Sequence, residues 1–241
     1  QKIKYSKFIH TSTLMGKNKL LSISQKNNLN TPIYMIRRGL EKLPTIKKIR
    51  NIRKPLRIIS IGRLVEKKGF LRQIEIYSFL KKMNLNFHAH IIGDGPMKKS
   101  LKNKISEYNL ENNVILKNWM NEKKLFDEQE WSDIFIFTGK IAKNGDRDGL
   151  PNVIPECMAR GIPIISSYIS AVPEVIKSNI NGILISNYNN NEEWYYAIKK
   201  LQNDNLLYEK LRNEAINWIH ENYFGPTNTK KLINCFNEGI N

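Results

Sequence analysis

The chain has only two cysteines in 241 residues, Cys157 and Cys235, far apart and in neither a disulfide framework nor metal-ligand spacing. They fit a reducing, cytoplasmic compartment. Acidic residues are scarce as well: 22 Asp and Glu face 39 Lys and Arg, a net charge of +17. Such a balance attracts phosphorylated substrates, polyanions and anionic lipid headgroups alike, and does not choose among them. The chain is also rich in Asn, Ile and Lys, which an AT-biased genome produces without selection for binding, so most of the charge reads as solvated surface. No uninterrupted apolar run approaches the roughly 18 to 20 residues that cross a bilayer, which leaves a soluble or peripheral protein. The opening Gln1-Lys-Ile-Lys-Tyr-Ser-Lys7 has neither Met nor an apolar signal core, so further sequence is expected before it. There is no Gly-x-Gly-x-x-Gly, no P-loop and no internal repeat. With 41% apolar residues the chain is nevertheless globular and long enough to bury a core.

Its organisation follows from periodicity. Residues 1 to about 50 carry two strand-like pieces, Lys7–His10 and Pro32–Ile36, in polar and basic sequence that looks poor in core. The basic stretch Lys47 to Lys54 before Pro55 has linker composition, which places a boundary near residue 50. Regular alternation begins there: a strand Arg57–Ile61, a helix from about Gly69 with Phe70, Ile74, Tyr77 and Leu80 at helical spacing, and a strand Phe87–Ile92. Gly93-Asp-Gly-Pro96 is a turn opening a basic amphipathic helix. Strands at Val114–Leu116, Ile134–Phe137, Ile162–Ser167 and Gly182–Ile185 follow, then helices over 190–223. Strands alternating with helices imply a Rossmann-like α/β fold, a parallel sheet flanked by helices.

Chemistry concentrates in two segments. Asp148-Gly-Leu-Pro-Asn-Val-Ile-Pro-Glu156 sets two carboxylates eight positions apart across a loop that opens a helix. Pro155 suits the first helical position, Glu156 the first turn, and Gly161 followed by Pro163 ends the helix. Helix starts carry orphan N–H groups that attract phosphate. The first strand of the alternation runs into Gly62-Arg63-Leu-Val-Glu-Lys67-Lys68-Gly69, where Arg63 and Lys68 flank the loop as two cations suited to a diphosphate. Ordinary basic loop residues are the bland alternative. Of the four histidines, His88 and His90 alternate on one face of a strand, but no third ligand is spaced nearby, so both read as structural.

Together, Gly62 to Gly69, Gly93-Asp-Gly-Pro96 and Asp148 to Glu156 with the following Cys-Met-Ala-Arg-Gly-Ile-Pro-Ile-Ile-Ser-Ser167 resemble the C-terminal half of family 4 retaining glycosyltransferases. Gly145-Asp-Arg-Asp-Gly-Leu-Pro151 and Ser166 to Glu174 are similar to the subgroup that builds bacterial exopolysaccharides such as colanic acid. The resemblance covers about residues 56 to 224. It implies a GT-B architecture with the donor nucleotide in the C-terminal domain: residues 1–50 would be the end of the N-terminal, acceptor domain and the crossover, 51–224 the sugar-nucleotide-binding domain, and 225–241 a C-terminal helix returning to the N-terminal domain. Arg63 and Lys68 would contact the diphosphate, Glu156 the ribose hydroxyls and Asp148 the transferred sugar. Gly62 and the backbone from Gly149 and Leu150 to Asn152 would line the donor, and Asn118 with Trp119 would lie at the nucleobase, a packed core or surface Trp119 being the equal alternative. The family's acidic pair usually begins with Glu, and Asp148 is shorter by a methylene; the usual Pro-Ser after the Ile134 strand is Thr138-Gly139 here, which suggests a looser loop.

The implied function is transfer of a sugar from a nucleoside-diphosphate sugar to a glycan or lipid-linked acceptor in bacterial cell-surface polysaccharide synthesis. No metal or other cofactor is implied, and no specific nucleic acid; the setting would be cytoplasmic, with peripheral contact at the anionic inner face of the plasma membrane. An isolated C-terminal half would bind donor and transfer nothing. Two alternatives stay open: a sugar-nucleotide epimerase or phosphorylase on the same architecture, and a non-catalytic basic module for nucleic acid or anionic membrane.

Overall fold

The computed structural model describes residues 3–44 and 52–238. The chain divides into two units, residues 1–44 with 217–241 and residues 45–216. The boundary expected near residue 50 falls largely outside the described residues.

In the first unit, β1 (Ile9–Thr11) and β2 (Ile33–Met35) pair in parallel, Ile9 opposite Ile33. Between them runs α1 (Leu14–Lys26), a helix that apolar spacing does not announce; it is started by Thr13, whose Oγ1 accepts the Gly16 N–H at 3.1 Å. After Phe224, α9 (Gly225–Glu238) begins where Gly225 N–H donates to Leu40 O at 2.9 Å and the Asn228 amide to Arg38 O at 3.0 Å. The C-terminal segment therefore folds against residues 38–40.

The second unit is a six-stranded sheet in the order β5-β4-β3-β6-β7-β8, every neighbouring pair parallel. Its strands are β3 (Leu56–Ile61), β4 (Phe87–Ile92), β5 (Val114–Lys117), β6 (Ile134–Phe137), β7 (Ile164–Ser167) and β8 (Ile183–Ile185). Runs such as Ile-Phe-Ile-Phe in β6 are buried on both faces, which is why they are continuously apolar and not alternating. The crossing helices are α2 (Phe70–Lys82), α3 (Lys98–Glu107), α4 (Glu122–Trp131), α5 (Val153–Ala159) and the short α6 (Val172–Val175), followed by α7 (Asn191–Asn203) and α8 (Asn205–Asn222). Phe70, Ile74, Tyr77 and Leu80 of α2 are buried together with Leu56, Phe87, Ile134 and Trp194 in one core. Each such side chain contributes about 1.5–3 kcal/mol.

From β3 the chain steps to β4 and β5, then returns to the other side of β3 and continues outward through β7 to β8. The strand order reverses between β3 and β6, and a crevice opens above the carboxyl ends of strands at such a point. Two glycines let the loops there close up. Gly93, after β4, lies against the Gly62 carbonyl, where a Cβ would sit 1.9 Å from that oxygen. Gly69 joins the 3-10 helix Glu66–Lys68 to α2 at φ 72°, and a Cβ on it would stand 1.6 Å from Thr138 O at the end of β6.

One detail differs from expectation: α5 begins at Val153, so Pro155 is its third residue, not its first. The first-turn N–H groups have no intrahelical acceptor, so proline is tolerated throughout that turn. Gly161, at φ 63°, ends α5 as expected, with Ile162 N–H bonded to Cys157 O and Gly161 N–H to Met158 O, the Schellman pattern. Replacing Gly69 by Ala combines left-handed strain with a backbone collision, and we expect it to cost about 2–4 kcal/mol in urea unfolding. Gly149→Ala, with nothing within 4 Å of the new methyl, should change stability by less than about 0.5 kcal/mol in the same measurement.

Candidate active site

The residues singled out in the sequence come from the carboxyl ends of strands of one sheet. Gly62 and Arg63 follow β3, Asn118 and Trp119 follow β5, and Asp148 to Asn152 follow β6. The closest meeting is between Lys68 and Asp148, whose Nζ and Oδ2 are 2.8 Å apart with side chains only 14% and 17% exposed. At that burial the attraction is screened less than between surface charges. The Lys68 ammonium also lies 5.7 Å from the centre of the Phe137 ring.

Neighbouring residues with no role assigned from the sequence complete the arrangement. Lys67 Nζ is 3.1 Å from Asp146 Oδ2 and 3.6 Å from Asp148 Oδ1. Glu66 takes the Lys140 ammonium at 3.1 Å and the Lys143 N–H at 3.4 Å, and Lys140 N–H donates to Lys67 O at 2.9 Å. Three consecutive residues of the 3-10 helix thus each grip the loop after β6. The titration of Lys67 and Glu66 reflects it: the Asp146 hydrogen bond, opposed by partial burial, raises the Lys67 ammonium above its ordinary value, and the Lys140 bond lowers Glu66. The complementary charge order, Glu-Lys-Lys facing Lys and two Asp, was the available sequence signal.

The base of this loop is bonded at several points. Thr138 Oγ1 donates to Gly69 O at 3.0 Å, Tyr188 OH to Thr138 O at 3.2 Å, and Ser167 Oγ to Gly139 O at 2.7 Å. These bonds hold Thr138 and Gly139 at the start of the loop, whereas residues 143–147 beyond them are exposed. Further along, the Ala171 N–H donates to Gly149 O at 3.1 Å. Leu150 is half-buried and Asn152, exposed, precedes α5.

The other assigned residues stand apart from the Lys68–Asp148 pair. Arg63 is exposed. Trp119 is 67% exposed, which excludes the core reading, and Asn118 accepts from Lys98 Nζ at 2.6 Å. Glu156, half-buried in the first turn of α5, has Arg160 and Glu122 as charged neighbours. Away from these, a groove of about 690 Å³ lies between the 3-10 helix and the starts of α2 and α3, walled by Glu66, Arg72, Met97, Lys143 and Tyr188. His90, read as structural, is stacked on Trp131 with ring centres 3.6 Å apart and bonds Glu128 through Nδ1 at 2.6 Å; Glu128 also pairs with Lys117. His88 is exposed. Among the described residues no cluster of three or more His, Cys, Asp or Glu could hold a metal ion, and no helix is long and apolar enough to cross a membrane.

Comparison with known proteins identifies the family and the fold. The family model described as glycosyl transferases group 1 matches residues 43–218. The amylovoran biosynthesis glycosyltransferase AmsK of Erwinia amylovora is 36% identical over 153 residues, 63% of this chain and 38% of AmsK. The putative colanic acid biosynthesis glycosyltransferase WcaL of Escherichia coli is 34% identical over 131 residues, 54% of this chain and 32% of WcaL. This chain therefore aligns with about a third of the length of these curated relatives. Among solved structures, a variant of S. aureus TarM in complex with fondaparinux, alpha-GlcNAc-glycerol and UDP superposes with a TM-score of 0.82 at 23% identity, over 98% of this chain and 45% of TarM. The sheet and its helices are the fold of GT-B glycosyltransferases.

Burial is the largest influence on Glu156 and raises its carboxyl above the ordinary value; Arg160 lowers it and Glu122 raises it. A carboxyl raised by folding stabilises fully only below its unfolded value of about 4.3, and that contribution is lost as pH climbs through the folded value. Glu156→Gln is therefore expected to melt higher than the parent at pH 7, with the gap closing towards pH 4. Thermal unfolding followed by circular dichroism checks this, and a variant that melts no higher at pH 7 contradicts it.

Proposed function

The chain belongs to the glycosyl transferases group 1 family, and from that premise we propose that it is the donor-binding half of a family 4, retaining glycosyltransferase. It moves a sugar from a nucleoside-diphosphate sugar to a glycan or lipid-linked acceptor in bacterial cell-surface polysaccharide synthesis. The observation that carries the reading is the Lys68–Asp148 pair, set where the strand order reverses. Relatives named for amylovoran and colanic acid biosynthesis, and a UDP complex of the same fold, support the polymer and the donor class.

In this reading the bond from the anomeric carbon to the diphosphate breaks with its electron pair leaving on phosphate. The acceptor oxygen bonds to the same face of an oxocarbenium-like carbon, and its proton passes to an oxygen of the departing diphosphate. Charge grows on the departing diphosphate, and cations already in place stabilise it more in the transition state than in the ground state. Lys68 has three N–H donors, enough to keep Asp148 and still meet a phosphate oxygen. Asp148 meets the sugar, Glu156 the ribose hydroxyls, Gly62 and Gly149 to Asn152 line the donor, and Trp119 with Asn118 meets the base. Arg63 and Lys68 supply the positive charge, so the reaction needs no divalent ion. The setting is the cytoplasm, with peripheral contact at an anionic membrane face: residues 1–54 hold 14 Lys and Arg against one acidic residue, Glu41, so most of the +17 lies there.

Calorimetric titration of the chain with UDP, GDP, ADP and their sugar conjugates tests this. Saturable binding with a preference for one base is expected, and Arg63→Ala and Glu156→Ala should each weaken it at least about tenfold. Binding without base preference that collapses steeply with salt would show a polyanion-binding module instead; nucleotide affinity unchanged in both variants would overturn the site.

A further inference from the structure

Asp148 is carried on a stretch that packing does little to hold. Residues 143–147 are all exposed. The stretch instead closes on itself: Gly145 N–H donates to Ala142 O and Ala142 N–H to Asp146 O, each at 2.8 Å, while Asp146 N–H takes the Asn144 side chain at 3.0 Å. Asp146 is thus the last residue of a closed turn, and only Arg147 stands between it and Asp148. One ammonium, Lys67 Nζ, meets both carboxylates, at 3.1 and 3.6 Å. A short Asp side chain keeps its carboxylate close to its own backbone. Where a longer Glu could reach out, Asp148 goes where the backbone takes it.

We propose that Lys67 and Asp146 are positioning residues for Asp148, fixing the backbone that carries its carboxylate to the transferred sugar while Lys68 serves the diphosphate. This rests on the donor-site reading above. The division of labour separates two energies: Lys67 and Asp146 act on the sugar's share of donor affinity and leave the nucleotide's share alone. Lys67 is 26% exposed and Asp146 53%, so the pair is partly screened and its effect is modest.

The test is calorimetry on the 241-residue chain, comparing UDP with UDP-glucose, UDP-galactose and UDP-N-acetylglucosamine, and GDP with GDP-mannose. In the unmodified chain one conjugate should bind more tightly than its free nucleotide. Asp146→Asn and Lys67→Met should keep nucleoside-diphosphate affinity within about twofold and lose roughly fivefold of the extra affinity for that conjugate, about 1 kcal/mol. Lys67→Arg, which keeps the charge, should retain most of it. A generally damaged fold would lower both affinities together, so a uniform loss overturns the positioning role. So does an Asp146→Asn or Lys67→Met variant with the parent's sugar increment, or an unmodified chain that binds every conjugate no better than its nucleotide. An unmodified chain that binds no nucleotide at all removes the donor-site reading and this inference with it.

Discussion

The contact between Gly69 and the carbonyl of Thr138 is the constraint on which the site depends. Gly69 ends the 3-10 helix that follows β3 and Thr138 directly follows β6, the strands between which the sheet order reverses, and no side chain fits between them. Because the backbone closes up here, the 3-10 helix Glu66–Lys68 lies alongside the loop from β6, and its charges reach partners that are about 75 to 80 positions away in sequence. Without the close approach those six charged side chains would each face water, and exposed pairs of this kind contribute little. Packing creates the proximity; electrostatics then uses it.

The site divides charge by burial. Lys68 and Asp148 are mostly withdrawn from solvent, whereas Lys67, Asp146, Glu66 and Lys140 stand further out. The inner pair is therefore suited to holding its geometry against water, and the outer ones to holding the loop at its exposed edge. Glu156 belongs to neither group. Its partial burial makes its negative charge costly to keep, a burden that a purely structural position in the first turn of α5 would not need, since Gln fits the same space.

Much of this was legible before any coordinates. Continuous Ile-rich runs separated by helical spacing identify a parallel sheet, and all six strands of the second unit fall within two residues of where the runs place them. Gly93, Gly69 and Gly161 mark places where backbone must pass close or turn left-handed. What was not legible depended on contacts between distant segments. The helix α1 exposes Leu14 and Leu21 and lacks a clean apolar stripe, so its only local signal is the cap at Thr13. Pro155 was misplaced within α5 because its chemistry suits any position in the first turn. Lys67 and Asp146 went unassigned because their meeting depends on the register between two loops, and composition does not encode register. Thr138 stands where proline is usual, and its hydroxyl, unavailable to proline, bonds the Gly69 carbonyl, a contact that only the meeting of two distant loops reveals.

The closed turn from Ala142 to Asp146 has a consequence for how such chains diversify. It is held by its own hydrogen bonds and by charges at its foot, and it buries little. Its length and composition can drift without disturbing β3, β6 or the helices packed on them, while the residues under it stay locked by core and backbone contacts. On the proposed donor-site reading, a lineage changes which sugar it accepts by rewriting a few exposed residues and keeps the nucleotide's berth as an unaltered inheritance.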